Sequence, residues 1–364
     1  MINPFIFGIS GYTLTEQEII IFKSKPCVGF ILFARNIHSK EQVIKLTNSL
    51  KVLYPDRFVP IFIDQEGGRV ARIKPPIAKK LFPTAKYFAD IYENDPVLAK
   101  KELEVNYNEL MSELKTLGID SPCAPVCDLY IKDAHSIIGD RSFGSDPNSV
   151  IDLCSIAIES INKVGGIPFI KHIPGHGRAD VDSHHALPHV HNPKKELEET
   201  DFKVFKNIAE KFKTEEVWAM TAHIIYSEID PDLPATISKK VINYIKNEIN
   251  FIGKLVTDDI NMYALHGEIG KMRSVLKQTI KLALNNQDWQ EKFQSIFKEL
   301  FDVNIKDFNN EQIIDICVQL LKNTNKNFHS SLINITKLCL EAGCDIVLHC
   351  SGDINEIKAI YSAI

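Results

Sequence analysis

Short, almost wholly apolar runs alternate along the chain with longer stretches in which apolar residues recur every three to four positions. Eight short runs read as strands, at 5–9, 28–33, 59–63, 120–124, 167–171, 217–221, 254–257 and 345–349. Between them, 41–53, 97–117, 150–164, 197–211 and 239–249 read as amphipathic helices. Strands of this length separated by helices predict parallel βαβ units. Eight such units predict an α/β fold of the (β/α)8 TIM-barrel type. A doubly wound open sheet is the second choice, but no GxGxxG follows the first strand.

One interval is too long for a single barrel helix. Between the seventh and eighth strands, Phe293, Ile296, Phe297 and Leu300 share one helical face, and Ile313, Cys317, Leu320 and Leu321 share another. Polar stretches at Asn285-Asn286-Gln287-Asp288 and Asn323-Thr324-Asn325 read as linkers. The expectation is one catalytic domain over 1–364 carrying a helical insertion at 267–330. That insertion either packs passively on the barrel or serves as a lid or docking surface.

Composition narrows the function classes. A net charge of −5 gives no basic footprint for nucleic acid or anionic membrane. The eight cysteines include no CxxC pair and read as reduced core residues of an intracellular protein. The first residues carry no basic, then apolar, leader pattern, and no apolar run reaches membrane-spanning length. Only seven of the 42 basic residues are arginine, and four of these (Arg69, Arg72, Arg141 and Arg178) sit in Gly-rich or His-rich motifs. The planar fork of arginine suits oriented hydrogen bonding there.

The unusual polar residues fall at expected strand ends, where a barrel keeps its active site. Asp64 ends the third strand, and Arg141 lies in the loop after the fourth. Lys171 and His172 end the fifth, His223 the sixth and Asp258 the seventh. Each has a plainer reading. Asp64 reads as a loop-holding partner of Arg69 or Arg72, Asp146 reads as a helix cap before Pro147, and Asp259 or Asn261 reads as a cap of the following helix. The densest motif is Lys171-His172-Ile173-Pro174-Gly175-His176-Gly177-Arg178-Ala179-Asp180-Val181-Asp182-Ser183-His184-His185; six of the twelve histidines lie between His172 and His191. A metal site there lacks the usual zinc signatures. An Asp182–His184 pair would give a general acid/base titrating near neutrality, and His189 and His191 read as structural.

Taken together, the segments Ile63-Asp64-Gln65-Glu66-Gly67-Gly68-Arg69-Val70, Ala124-Pro125-Val126-Cys127-Asp128-Leu129, Arg141-Ser142-Phe143-Gly144, the histidine motif through His184, Ala222-His223-Ile224 and Thr257-Asp258-Asp259 closely resemble glycoside hydrolase family 3, in particular its bacterial β-N-acetylglucosaminidases of the NagZ type. The resemblance implies a β-N-acetylhexosaminidase with Asp258 as nucleophile and His184 as acid/base, oriented by Asp182. It implies that Asp64, Arg72, Arg141, Lys171 and His172 bind N-acetylglucosamine. No metal or cofactor is implied. The implied substrate is a small saccharide or muropeptide from peptidoglycan recycling, cleaved by a cytoplasmic monomer with no nucleic-acid or membrane partner. Because a histidine that has lost its proton does not repel an anionic nucleophile, phosphorolysis is the alternative outcome. A catalytically silent sugar-binding barrel is another. The insertion and the short C-terminus depart from the family pattern.

Overall fold

The computed structural model describes residues 2–181, 187–212 and 216–364. Its strands are β1 (Asn3–Gly8), β2 (Cys27–Leu32), β3 (Ile61–Ile63), β4 (Gln65–Gly67), β5 (Val70–Ala71), β6 (Phe169–Ile173), β7 (His189–Val190), β8 (Trp218–Thr221), β9 (Ile225–Tyr226), β10 (Leu255–Val256) and β11 (Val347–His349). Its helices are α1 (Glu16–Ser24), α2 (Lys40–Val52), α3 (Ala85–Tyr92), α4 (Pro96–Thr116), α5 (Pro147–Lys163), α6 (Lys194–Glu199), α7 (Asp201–Lys211), α8 (Lys239–Asn247), α9 (Tyr263–Leu284), α10 (Gln290–Phe301), α11 (Asn310–Ala342) and α12 (Ile354–Tyr361). No helix among the described residues is long and apolar enough to cross a membrane.

The fold is α/β. Two parallel sheets form its centre, in the orders β11-β1-β2-β3 and β10-β8-β6. Single bridges join them at both seams. On one side Phe62 pairs with Ser121 and Val126 with Lys171; on the other Val256 pairs with Ile346. The expected fourth strand at 120–124 is therefore an extended segment rather than a strand. Pro122 and Pro125 lack the N–H that a ladder needs, so pairing is reduced to scattered bonds such as Ile63 N–H to Ser121 O and Phe169 N–H to Ala124 O.

Period-two alternation divides the core into two layers. Phe5 and Phe7 face the helices, while Ile6 faces a separate inner cluster. That inner cluster draws Ile31, Phe62, Cys123, Phe169, Met220, Val256 and Leu348 from the successive strand positions. Strands covered on both faces need apolar residues throughout, which is why they read as continuous apolar runs.

Local signals place the helix starts. Thr15 and Glu18 form a capping box on α1, and Asp146 caps α5 ahead of Pro147. The single helix expected over 197–211 is two, α6 and α7, broken at Thr200 (φ −126°, ψ −93°). Arg178 docks into that break, reaching Asp201 at 2.6 Å and Thr200 at 3.2 Å.

Between β10 and β11 stand α9, α10 and α11. Val275, Leu276, Trp289, Phe293, Phe297, Ile305, Ile313 and Cys317 form a hydrophobic cluster of their own. Asn285 and Asn286 make the turn between α9 and α10 as expected. Asn323-Thr324-Asn325 does not make a linker, because α11 runs through it without a break. Its polar groups are used inside the structure: Thr324 Oγ1 donates to Leu320 O, and Asn325 Oδ1 accepts from Arg273. One end of α11 thus serves the small cluster through Ile313 and Cys317. The other serves the main core through Phe328, Leu332, Ile335 and Cys339.

Candidate active site

All pairings in the two sheets are parallel, so their C-terminal ends open on one face. A cavity of about 240 Å³ lies there, with room for a single substituted pyranose. Its apolar floor comes from Ile31, Phe33, Met220 and Leu348; its polar wall comes from Asp64, Glu66, Arg72, Arg141, Lys171, His172 and Asp258. Six residues expected at the site, Asp64, Arg72, Arg141, Lys171, His172 and Asp258, therefore share one cavity. Asp182 and His184 lie outside the described residues.

Lys171 and His172 do not follow their strand but lie within β6, which extends to Ile173. Lys171 is 2% exposed. A buried ammonium needs charged partners, and Lys171 has two: Asp64 Oδ1 at 3.2 Å and Glu66 Oε1 at 2.6 Å. Arg72 holds the other oxygen of Asp64 at 3.0 Å. Arg141 grips Glu66 with two parallel bonds of 2.8 Å, the bidentate geometry that distinguishes arginine from lysine. Burial opposes the charge on both carboxylates, yet the cations outweigh it. Lys171 and Arg72 hold Asp64 well below the usual carboxylate range, and Arg141 and Lys171 hold Glu66 at about 2. The same pairing outweighs burial at Lys171 and keeps it protonated.

His172 is oriented from behind. Asp128, fully buried, accepts its Nδ1 at 2.7 Å and the backbone N–H groups of His172 and His176 at 3.0 and 2.7 Å. Burial opposes the charge on Asp128, but His172 and these bonds lower its pKa. An ionised carboxylate only accepts, so Nδ1 carries the proton and Nε2 is the atom left for a ligand. The turn that follows depends on glycine. Gly175 has φ +146°, and a Cβ on Gly177 would come within 2.3 Å of Leu129 O.

Asp258 follows β10. Its Oδ1 accepts the N–H of Asp259 at 2.7 Å. Asp259 does not cap α9; its Oδ1 accepts from Asn261 N and Cys350 N at 3.1 and 3.0 Å. His223 also serves this turn, with Nε2 3.1 Å from Asp259 O and Nδ1 2.7 Å from Thr236 Oγ1.

Glu66 and Asp128 escaped the sequence reading as site residues. Glu66 carried a usable signal, since Asp64-x-Glu66 puts two carboxylates on one side of an extended segment just after an apolar strand. Asp128 carried none beyond its place in a motif.

Residues 13–323 match the family described as Glycosyl hydrolase family 3 N terminal domain. The chain belongs to glycoside hydrolase family 3. A β-hexosaminidase of Alkalilimnicola ehrlichii is 35% identical over 266 residues, 72% of this chain and 74% of that one. A β-hexosaminidase of Nitrosomonas eutropha is 32% identical over 263 residues, with the same two shares. Among solved structures, NagZ from Neisseria gonorrhoeae in complex with N-trifluoroacetyl-D-glucosamine superposes with a TM-score of 0.73 at 25% identity, covering 99% of this chain and 84% of that one. The α/β architecture with its site at the strand ends is the TIM-barrel-like fold of the family 3 N-terminal domain.

The ionisation pattern of this family 3 site sets a pH dependence for folding. Burial and the neighbouring His172 lower His176 to about 4, and burial lowers His266 to about 4. Below 6.5 the unfolded chain therefore binds protons that the folded chain refuses, and stability falls with pH. Glu66 adds to the loss between 4.5 and about 2. Thermal melting followed from pH 8 to pH 3 should show a falling Tm that begins near 6.5 and continues below 4.5, where Glu66 takes over from the histidines. A Tm that stays flat down to pH 4 would contradict these assignments.

Proposed function

We propose that this family 3 β-N-acetylhexosaminidase removes N-acetylglucosamine from small peptidoglycan fragments, such as its β-linked disaccharide with 1,6-anhydro-N-acetylmuramic acid, with or without peptide. The reading places the reaction in cytoplasmic cell-wall recycling by a monomeric enzyme. It also takes the two sheets, bridged at both seams, as a closed (β/α)8 barrel forming one catalytic domain with a helical insertion at 267–330.

In the proposed retaining mechanism Asp258 attacks the anomeric carbon while His184, oriented by Asp182, protonates the departing glycosidic oxygen. A covalent glycosyl–aspartate forms. His184, now neutral, takes a proton from water, which attacks the anomeric carbon and releases Asp258. Asp64, Arg72, Arg141, Lys171 and His172 hold the sugar. The observation that carries the reading is the convergence of these five side chains on the same cavity as Asp258. Fixed donors and acceptors restrain the ring without reorganising during reaction.

Product analysis tests it. With an aryl N-acetyl-β-glucosaminide in phosphate buffer, the expected product is free N-acetylglucosamine, initially of β configuration. N-acetylglucosamine 1-phosphate as main product would replace hydrolysis by phosphorolysis. Saturable sugar binding without turnover would leave a silent binding barrel.

A further inference from the structure

The turn that carries Asp258 is gripped from outside the barrel by the helices of the long β10–β11 interval. His266, near the start of α9, places Nε2 2.7 Å from Ile260 O and Nδ1 2.8 Å from Ser331 Oγ of α11. About two turns further along α9, Arg273 is buried and reaches three elements at once. Its Nη1 donates to Asn261 Oδ1 at 3.1 Å and its Nε to Asn325 Oδ1 of α11 at 3.0 Å, while its Nη2 pairs with Glu356 of α12. The guanidinium lies 4.0 Å from the ring centre of Phe328, and the ring of His266 packs on the same phenylalanine at 4.3 Å. Asn261 in turn donates its Nδ2 to Glu356 Oε2 at 3.0 Å and its backbone N–H to Asp259 Oδ1 at 3.1 Å.

A continuous path therefore runs from α11, through Arg273 and Asn261, to the peptide that follows Asp258. It is fully buried at Glu356, whose Oε2 also faces His349 Nε2 at 2.8 Å. Burial, then the Arg273 charge, lowers His349 to about 3, so that contact is a hydrogen bond from a neutral imidazole rather than an ion pair. Arg273 is thus the cation that balances Glu356 in this network. Buried networks of this kind hold one geometry because any partial loss leaves an unsatisfied charge.

We infer that Arg273 and Asn261 are positioning residues for Asp258, and that the helices rooted in the β10–β11 interval set the geometry of the nucleophile turn rather than packing passively beside it. The inference rests on Asp258 being the nucleophile. A nucleophile must sit within a few tenths of an ångström of its attack position, and the turn 258–261 has few residues with which to fix itself. Arg273 reaches past the backbone to hold Asn261, the residue that locks Asp259.

Arg273→Lys keeps a charge beside Glu356 but cannot reach Asn261, Asn325 and Glu356 together. Asn261→Ala removes the bridge while leaving the Arg273–Glu356 pair in place, so at least one of the two variants should fold. For both, kcat is expected to fall about tenfold to a hundredfold, on the scale of a misplaced reacting group, with KM within about threefold of the wild type. Lys271→Ala, which removes an exposed pair between Lys271 and Glu299, is the control and should leave kcat unchanged. The decisive readout is the rate at which a slow N-acetylglucosaminyl fluoride, fluorinated at C5, labels the protein, with the labelled peptide mapped. Label on Asp258, slowed in parallel with kcat in Arg273→Lys or Asn261→Ala, supports the inference. Label on Asp258 at the wild-type rate in every variant that folds overturns it. Label on another residue overturns the nucleophile assignment instead.

Discussion

Asp258→Ala is expected to lower cleavage of an aryl N-acetyl-β-glucosaminide on the order of 10⁴-fold, about 5.5 kcal/mol of transition-state stabilisation, with the fold intact. Under the proposed mechanism, activity falls because a methyl group cannot form the glycosyl ester. The fold survives because the turn is held by groups other than that carboxylate: Asp259 Oδ1 accepts the N–H of Cys350, the N–H of Ile260 donates to Leu348 O, and Asn261 donates to Glu356. Sodium azide sharpens the test. The space left by the carboxylate admits a small anion on the same face of the sugar, so azide should restore part of the rate and yield a glycosyl azide of inverted configuration. Circular dichroism and Tm check folding alongside. A variant as fast as the wild type would remove Asp258 from the chemistry.

Lys171→Met should be damaging in a different way. Lys171 lies between Asp64 and Glu66, and each carboxylate has only one arginine among its described cationic partners besides it: Arg72 for Asp64 and Arg141 for Glu66. Removing the ammonium leaves two partly balanced carboxylates facing each other across an apolar side chain. Breaking a buried charge cluster by deleting one partner costs about 3–5 kcal/mol, which for a typical domain is a large part of its stability. Urea unfolding should show the loss as a lower midpoint. The pKa values of Asp64 and Glu66 should also rise, because the cation that helps to hold them down is gone. Whatever activity remains should therefore lose its acid limb at higher pH than the wild type, with a raised KM. Lys171→Arg, which keeps the charge, should recover stability more fully than turnover. An unchanged midpoint in Lys171→Met would mean that the cluster contributes nothing to folding.

Most of the architecture was legible because it rests on periodicity. Seven of the eight expected strands are present, since a parallel strand covered on both faces leaves a run such as Phe5-Ile6-Phe7 in the sequence. The failure at 120–124 has a local cause in two prolines that were in plain view at Pro122 and Pro125. Asn323-Thr324-Asn325 misled for the opposite reason. Three polar residues in a row look like a linker unless one knows that Arg273, some fifty positions earlier, needs a carbonyl there. The polar residues that line the cavity from strand ends were legible when the strand was. Glu66 and Asp128 were not, because their importance lies in which cations and imidazoles they meet, and those partners are distant in the chain. Arg273 belongs to the same class: outside any motif it reads as one helical surface cation among many, and only the packed structure shows it buried.

The cavity wall is drawn from both sheets. Asp64 follows β3 of one sheet, while Lys171 sits in β6 and Asp258 follows β10 of the other, and regular ladder pairing is missing at the seams between them. The Asp64–Lys171 contact is therefore a fastening across a joint, and a sugar seated against both residues would be a second one. Opening that joint would dismantle the cavity while each sheet kept its own ladder, so the proposed chemistry depends on the seam in particular.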